Sequence, residues 1–278
     1  MGTLSVVATP IGNLEDVTLR ALRVLREAEL LLAEDTREVR KLLDRHGIAA
    51  RPVSLHAHNE ARRQAEALAA LGAGRRVVLV SDAGTPLVSD PGERLVAAAA
   101  AAGHAVLAVP GASAVLAALV VSGLPAERFT FVGFLPRRAV ERDRLLARLR
   151  DAPETLVLFE SPRRLAATLR ELAQALGDRR AAVARELTKR YEEVARGRLA
   201  ELALRFADGA RGEVTLVVEG GGEAAVAAED VDAEIRARIA AGGHAREIAA
   251  ALAPATGLPR RALYARALAL AREPREGA

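Results

Sequence analysis

The residues best suited to chemistry stand in short loops that follow predicted strands. Glycine lets a backbone approach a ligand, and proline fixes φ while removing a donor, so such loops can bring bare main chain against a flat, uncharged surface. They match neither GxGxxG nor the P-loop pattern, so ATP or a dinucleotide is not expected. A ligand with an adenine edge, a ribose and an amino-acid end suits them. The four loops are Ala8-Thr9-Pro10-Ile11-Gly12-Asn13, Leu32-Ala33-Glu34-Asp35-Thr36-Arg37, Ser81-Asp82-Ala83-Gly84-Thr85-Pro86 and Val109-Pro110-Gly111-Ala112-Ser113-Ala114.

The elements that position these loops follow from hydrophobic periodicity. In the first half, short apolar runs alternate with amphipathic segments, which is the βαβ rhythm of a buried parallel sheet. Ligands of such sheets bind beyond the carboxyl ends of the strands, where these loops lie. The second half repeats the mixture from FTFVGF to GEVTLVVEG. The sequence therefore predicts two α/β domains of similar size. Helices are predicted near residues 17–28, 39–45, 59–71, 92–102, 140–150 and 163–176.

The last segment has a different composition. After Gly220-Gly221-Gly222, the stretch EAAVAAED is typical of a linker, and three helical patterns follow, interrupted at 242–243 and 253–259. From Ile235 to Arg272 there are seven arginines and one acid, Glu247. This predicts a small helical domain with a basic surface, which either caps the fold as a solvated face or contacts an anionic partner. The predicted domains are 1–118, 119–222 and 223–278.

Composition limits the class of protein. The chain has 278 residues, of which 51% are hydrophobic, and no apolar stretch approaches the roughly 20 residues that span a bilayer. The start MGTLSVVATP has neither a basic leader nor a cleavage site, so a cytoplasmic protein is expected, with no membrane partner. Without cysteine there is no thiolate nucleophile and no disulfide framework.

The charge is informative by type. Of the 40 basic residues only Lys41 and Lys189 are lysines, and guanidinium groups bind phosphate well. A genome rich in G and C accounts for this overall excess of arginine, so only local clusters indicate an anionic partner. Aromatic residues make up 3% of the chain, which argues against a base-stacking platform.

Nine stretches carry a family resemblance. The chain resembles the ribosomal RNA small subunit methyltransferase I family, cytidine 2′-O-methyltransferases of the tetrapyrrole methylase superfamily. The resemblance implies two α/β domains with an S-adenosylmethionine cleft between them and a small C-terminal helical bundle. It also implies 2′-O-methylation of a cytidine in the decoding region of 16S ribosomal RNA, within the assembled 30S subunit, by a homodimer. The stretches are VVATPIGNLEDVTLRAL, AEDTR, HAHNE, LVSDAGTPLVSDPGERLV, VPGASAVLAALVVSGLP, FVGFLPR, ESPRRL, RELTKRYEEVARG and GEVTLVVEG.

The resemblance also implies which residues form the site. The cofactor-binding set is Pro10, Ala83, Gly84, Thr85, Ser113, Ala114, Phe159, Glu160, Ala184, Arg185, Val214 and Thr215. A ribose hydroxyl is a poor nucleophile, so a carboxylate that accepts its proton would help the reaction. The carboxylates in candidate loops are Asp35, Asp82, Glu160 and Glu186, with the last two slightly preferred. A track for the RNA backbone is expected along Arg137, Arg138, Arg163, Arg164, Lys189 and Arg190.

Three alternatives stay open on the sequence. His56 and His58 could face one side of a strand as a metal pair, but no third ligand is evident and no metal site is expected. A methylase of a tetrapyrrole precursor would share the fold. A non-catalytic RNA-binding or assembly factor would bind the cofactor without transferring a methyl group.

Overall fold

This computed structural model describes residues 2–56, 59–221, 228–256 and 258–272. His58, one of the two histidines weighed as metal ligands, and residues 223–227 of the expected linker lie outside the described residues. By its internal contacts the chain divides into two compact units. The first unit comprises Met1–Asp143 and Thr155–Glu219, and the second comprises Arg144–Glu154 and Gly220–Ala278.

The first unit contains a five-stranded parallel sheet with helices on both faces. Its strand order is β3-β2-β4-β1-β5. Because both faces are covered, the strands are apolar at nearly every position: Leu31 and Ala33 pack under one helix layer, and Leu30 and Leu32 under the other. The elements are β1 (Thr3–Val7), a 3-10 turn (Leu14–Asp16), α1 (Leu19–Arg26), β2 (Leu30–Ala33), α2 (Thr36–Arg45), β3 (Pro52–Ser54), α3 (Glu60–Gly72), β4 (Arg76–Val80), α4 (Glu93–Ala101) and β5 (Ala105–Val109).

The second sheet of the same unit is mixed. Its order is β6-β7-β10-β8-β9, in which only β6 and β7 are parallel. Helix α5 covers one face, where Ala118 and Leu119 pack with Val157, Ala182 and Val217. The remaining elements are α5 (Ala114–Ser122), β6 (Phe129–Phe134), α6 (Ala139–Leu149), β7 (Thr155–Glu160), α7 (Leu165–Leu176), β8 (Arg180–Arg185), β9 (Glu193–Arg198), α8 (Leu199–Arg205) and β10 (Val214–Val218).

The second unit is built around three helices, α9 (Ala228–Ala240), α10 (Ala245–Thr256) and α11 (Arg260–Arg272). Their shared core includes Val231, Ile248 and Leu263, which are all buried. The sequence predicts a break from residue 253, but α10 continues to Thr256, whose hydroxyl donates to the Leu252 carbonyl at 2.8 Å. None of the helices in the described ranges is long and apolar enough to cross a membrane. The prediction of an α/β fold followed by a helical bundle is confirmed.

Candidate functional site

The loops after β1, β4 and β5 are joined into one floor at the carboxyl edge of the first sheet. Thr9 and Gly84 exchange two backbone hydrogen bonds, of 2.8 and 3.0 Å. The Thr85 hydroxyl donates to the Ala112 carbonyl at 3.4 Å. Gly111 lies against Ala8 so closely that a Cβ at position 111 would stand 3.0 Å from the Ala8 Cβ. These contacts fix the three loops relative to one another.

The loop between β4 and α4 is held in an unusual conformation. Leu87 and Ser89 both have φ of 74°, a left-handed region that non-glycine residues seldom adopt. Such conformations cost free energy and persist only where the surrounding structure imposes them. Ser89 and Asp90 of this loop both line a cavity.

A cavity of about 360 Å³, which we call the inter-sheet cavity, lies between the two sheets of the first unit. Ten of the twelve residues expected to bind the cofactor line it; Pro10 and Arg185 do not. Arg185 instead pairs with Glu193, and Pro10 lines a neighbouring cavity. The lining residues are Ile11, Ala83, Gly84, Thr85, Val88, Ser89, Asp90, Ser113, Ala114, Val115, Phe134, Phe159, Glu160, Ser161, Pro162, Ala184, Leu187, Gly212, Glu213, Val214 and Thr215.

The chemistry of this lining suits a ligand that carries no phosphate. Phe159 stands at the wall with its ring 5.6 Å from that of Phe134. No lysine or arginine is among the lining side chains of the described residues, whereas Asp90, Glu160 and Glu213 are. Apolar faces with a few polar groups are typical of small-molecule sites of this size. S-adenosylmethionine, with its uncharged adenosine and cationic sulfur, fits this wall.

A second cavity of about 480 Å³ adjoins the first, and we call it the strand-end cavity. The two cavities share Ile11, Ala83 and Glu213. Ligands bound in the two cavities would therefore both contact these three residues. Its lining residues are Thr9, Pro10, Ile11, Gly12, Leu14, Glu38, Val39, Lys41, Leu42, Ser81, Asp82, Ala83, Lys189 and Glu213.

Three of the four candidate carboxylates have strong partners. Asp35 caps α2 and pairs with Arg37, whose hydrogen bonds lower the pKa of Asp35 to about 2. The pKa of Glu186 is also lowered, first by its hydrogen bond with Lys189. Glu160 is buried and accepts the Thr168 hydroxyl at 2.5 Å and the Ser161 amide at 2.7 Å.

Asp82 differs from these three carboxylates. It accepts the Asp35 amide at 2.7 Å and has no ion pair among the residues that the structure describes. Burial raises its pKa, so its carboxylate is a stronger base than an ordinary aspartate. It precedes Ala83, which lines both cavities. Of the four candidates, Asp82 has the environment that best suits a proton acceptor.

Two further acids were not singled out from the sequence. Glu34 has its pKa raised to about 7, first by burial and then by the negative charges of Asp90 and Asp82. Burial likewise raises the pKa of Asp90, which lines the inter-sheet cavity. In the sequence, only their positions in the motifs AEDTR and SDPG could have indicated these two acids. No group of three or more metal-ligating side chains occurs within the described ranges.

The basic side chains of the expected RNA track face in different directions. Arg137, Arg138 and Arg163 are exposed. Arg164 instead donates to the Leu135 carbonyl at 3.3 Å, and its guanidinium lies 3.6 Å from the Glu160 carboxylate. Arg190 is exposed and stands over Tyr191, whereas Lys189 enters the strand-end cavity. The track is therefore not one uniform surface.

Replacing Thr168 with valine should lower the free energy of unfolding by about 1–3 kcal/mol, because the buried Glu160 carboxylate would lose a donor. Urea unfolding followed by circular dichroism measures the change. Thr130→Val on an exposed position of β6 is the control and should change stability little. Equal stabilities of both variants would show that the hydroxyl does not support Glu160.

Comparisons with known proteins show the family to which this chain belongs. The family model of tetrapyrrole (corrin/porphyrin) methylases matches residues 3–203. Proteins named ribosomal RNA small subunit methyltransferase I are similar along nearly the whole chain. The one from Halalkalibacterium halodurans is 46% identical, covering 95% of this chain and 93% of its own. The one from Mycobacterium tuberculosis is 47% identical, covering 98% and 96%.

Solved structures agree at the level of the fold. Uroporphyrin-III-C-methyltransferase from Thermus thermophilus is 25% identical with a TM-score of 0.58, covering 79% of this chain and 94% of its own. The methyltransferase CobJ is 22% identical with a TM-score of 0.61, covering 80% and 95%. The methylase fold and the family resemblance predicted from the sequence are thus confirmed. This chain is a methyltransferase that belongs to the tetrapyrrole (corrin/porphyrin) methylase family and, within it, to the ribosomal RNA small subunit methyltransferase I family.

Proposed function

We propose that this enzyme transfers a methyl group from S-adenosylmethionine to the 2′-hydroxyl of a cytidine in the decoding region of 16S ribosomal RNA. The observation that carries the proposal is the pair of adjoining cavities, one mostly apolar and with no basic side chain among its described lining residues, the other lined by Asp82. The names of the similar proteins support a small-subunit ribosomal RNA as the acceptor.

The inter-sheet cavity would hold the cofactor through the ten sequence-selected residues that line it. S-adenosylmethionine supplies a methyl group on a cationic sulfur, which is already activated for transfer. The rings of Phe134 and Phe159 offer an apolar surface to the adenosine, and Asp90 and Glu213 place negative charge in the wall. Such a wall excludes water and fixes the reactants, and alignment alone lowers the barrier greatly.

Asp82 would accept the proton of the ribose hydroxyl. Its carboxylate lines the cavity next to the cofactor cavity, and burial raises its pKa. The Asp35 amide holds one oxygen at 2.7 Å, which leaves the other for the hydroxyl. The partners of Asp35, Glu160 and Glu186 favour structural roles for these three carboxylates.

Substrate binding would extend beyond the two cavities. The exposed Arg137, Arg138, Arg163 and Arg190 would contact the RNA backbone within the assembled 30S subunit. We further propose the three domains 1–118, 119–222 and 223–278, a homodimer, and action in the cytoplasm. The basic C-terminal helices would add contacts to the same anionic partner.

The double variant Arg137→Glu/Arg138→Glu should weaken RNA binding and flatten its salt dependence by about 1 to 2 in the log-log slope, since each phosphate contact contributes about 1. Filter binding at several salt concentrations measures the slope. Arg45→Glu on the exposed side of α2 is the matched charge control. An unaltered slope in the double variant would count against this track.

The test of the function is methyl transfer from labelled S-adenosylmethionine to small subunits that lack the modification, followed by nuclease digestion. A labelled 2′-O-methylcytidine is the expected product. If label entered only a tetrapyrrole precursor, the alternative methylase activity would replace the proposal. If the cofactor bound and no acceptor was labelled, the protein would be a binding or assembly factor.

A further inference from the structure

The only two lysines of the chain line the same cavity. Arginine occupies every other basic position, 38 of 40, yet Lys41 from α2, at the exposed rim, and Lys189 from the turn after β8 both line the strand-end cavity. A compositional preference for arginine explains the other 38 positions but not these two. An ammonium group is compact and has freely oriented donors, whereas a guanidinium is a rigid planar fork. The two exceptions therefore indicate a site with a specific shape.

The backbone around Lys189 is arranged to bring it there. Glu186 and Thr188, both non-glycine, have left-handed φ of 51° and 66°. The stem of Lys189 packs on Gly12: a Cβ at position 12 would stand 2.5 Å from the Lys189 Cγ. The Thr188 hydroxyl beside them is buried and has no hydrogen-bond partner within the described residues. The turn thus carries strain and an unsatisfied polar atom at the edge of the cavity.

Both ammonium groups reach the cavity already paired with carboxylates. Lys189 Nζ lies 2.9 Å from Glu186 and 3.0 Å from Glu213, and Lys41 Nζ lies 2.7 Å from Glu38. The lining contains two ammonium groups and three carboxylates, Glu38, Asp82 and Glu213. A phosphate would gain little from such a lining, because the negative charge predominates. A neutral ring with both donors and acceptors can bond to both members of each pair.

Five larger apolar residues also line the strand-end cavity, beside the hydroxyl residues Thr9 and Ser81. Pro10, Ile11, Leu14, Val39 and Leu42 all contribute to the cavity wall. Enzymes that carry out chemistry on a base of a structured nucleic acid extrude that base into a pocket with apolar walls and hydrogen-bonding groups for its edge, and this lining offers both kinds of group. A carboxylate accepts from the cytosine amino group, while an ammonium donates to its carbonyl. Uracil carries an acceptor where cytosine carries that amino group.

We propose that the strand-end cavity takes the extruded pyrimidine base of the acceptor nucleotide, with Lys41 and Lys189 as donors and their partner carboxylates as acceptors. This inference rests on the proposed function, because the base must come with the ribose that is methylated. It also assigns Lys189 a role apart from the arginines, which contact the backbone. Base and cofactor would then both contact Ile11 and Ala83.

The first test measures kinetics of Lys41→Ala, Lys41→Arg, Lys189→Ala and Lys189→Arg on undermethylated small subunits, with Arg45→Lys as control. The alanine variants should lose about 10- to 100-fold in kcat/KM, as expected for losing a hydrogen bond from a charged donor, with cofactor affinity unchanged. The arginine variants should lose at least about fivefold, because the fork does not fit. On subunits carrying uridine at the methylated position, the wild type should be slower than on cytidine, and Lys189→Ala should discriminate less.

Two results would overturn the base pocket. Full activity of both arginine variants would mean that positions 41 and 189 require only a positive charge and not the shape of an ammonium group. A Lys189→Ala variant that flattens the salt dependence of RNA binding while keeping the discrimination would show a phosphate contact instead.

A second test separates this inference from the proposed function. Saturation-transfer NMR with the nucleosides cytidine and uridine uses probes that have no phosphate. Wild-type protein should contact the cytidine ring protons, and Lys189→Ala should lose that contact. Lysine-dependent contact without any RNA methylation would leave the pocket standing and remove the function. Equal contact in the wild type and the variants, with RNA methylation intact, would overturn the base pocket and leave the proposed function standing.

Discussion

Replacing Asp82 with asparagine is expected to lower kcat for methyl transfer about 100- to 10,000-fold, the range that a positioned general base contributes. The amide keeps the size of the carboxylate and can still accept the Asp35 amide hydrogen bond, so the loop should keep its shape. Affinity for S-adenosylmethionine should stay near that of the wild type, since Asp82 lines only the adjoining strand-end cavity. Single-turnover kinetics with labelled cofactor and titration calorimetry measure the two quantities.

The pH profile gives this prediction a second measurement. Asp82 acts only when deprotonated, so the rate falls as the pH drops through its pKa. Burial raises that pKa, so the loss should begin above the pH at which an exposed aspartate titrates. The asparagine variant should lack this acid limb. Asp44→Asn, an exposed position on α2, is the control. Normal turnover of Asp82→Asn would remove Asp82 from the reaction.

The sequence predicts the position of a site residue where that position follows from the neighbouring sequence, and not where it depends on contacts between distant segments. The positions of Ala83, Gly84, Ser113 and Ala114 follow from a general rule, because loops at the carboxyl ends of parallel strands share one edge. The confirmed methylase fold has these loops where the sequence placed them. The hydrogen bonds that join these loops pair residues that are far apart in the chain, such as Thr9 and Gly84.

The departures arise where neighbouring residues face opposite ways. Ala184 lines the inter-sheet cavity, whereas the next residue of β8, Arg185, has its side chain on the other face and pairs with Glu193. Asp35 and Glu34 are neighbours with different environments: Asp35 caps the start of α2, while Glu34 is partly buried and feels the charge of Asp90. A sequence motif contains both neighbours but does not indicate in which direction each side chain points.

The preference for Glu160 as the proton acceptor shows a second limit of prediction from sequence. It came from a motif in the second domain, but its two oxygens are bonded to Thr168 and Ser161. Thr168 is the fourth residue of α7, and its contact with the end of β7 depends on how the helix packs. Asp82, by contrast, accepts one hydrogen bond from the described residues, that of the Asp35 amide. Such differences in partners are tertiary, and the sequence does not display them.

Replacing Ala114 with phenylalanine is expected to weaken S-adenosylmethionine binding about 100-fold or more, equivalent to about 3 kcal/mol. Ala114 is the first residue of α5, and its methyl group lines the inter-sheet cavity. A phenyl ring there would fill much of the 360 Å³ in which the cofactor must lie. Ala114 is only partly buried, so the larger side chain need not be accommodated within the core. Titration calorimetry with S-adenosylhomocysteine measures the affinity.

The control for this variant is Leu116→Phe, two residues further along the same helix. Leu116 is exposed and does not line the cavity, so its variant should bind the cofactor normally. Thermal unfolding of both variants should show that α5 still packs on the second sheet, which separates a blocked cavity from a damaged fold. Undiminished affinity in a folded Ala114→Phe protein would place the cofactor elsewhere. The loss of binding together with all methyl transfer would instead tie the reaction to this cavity, whatever the acceptor.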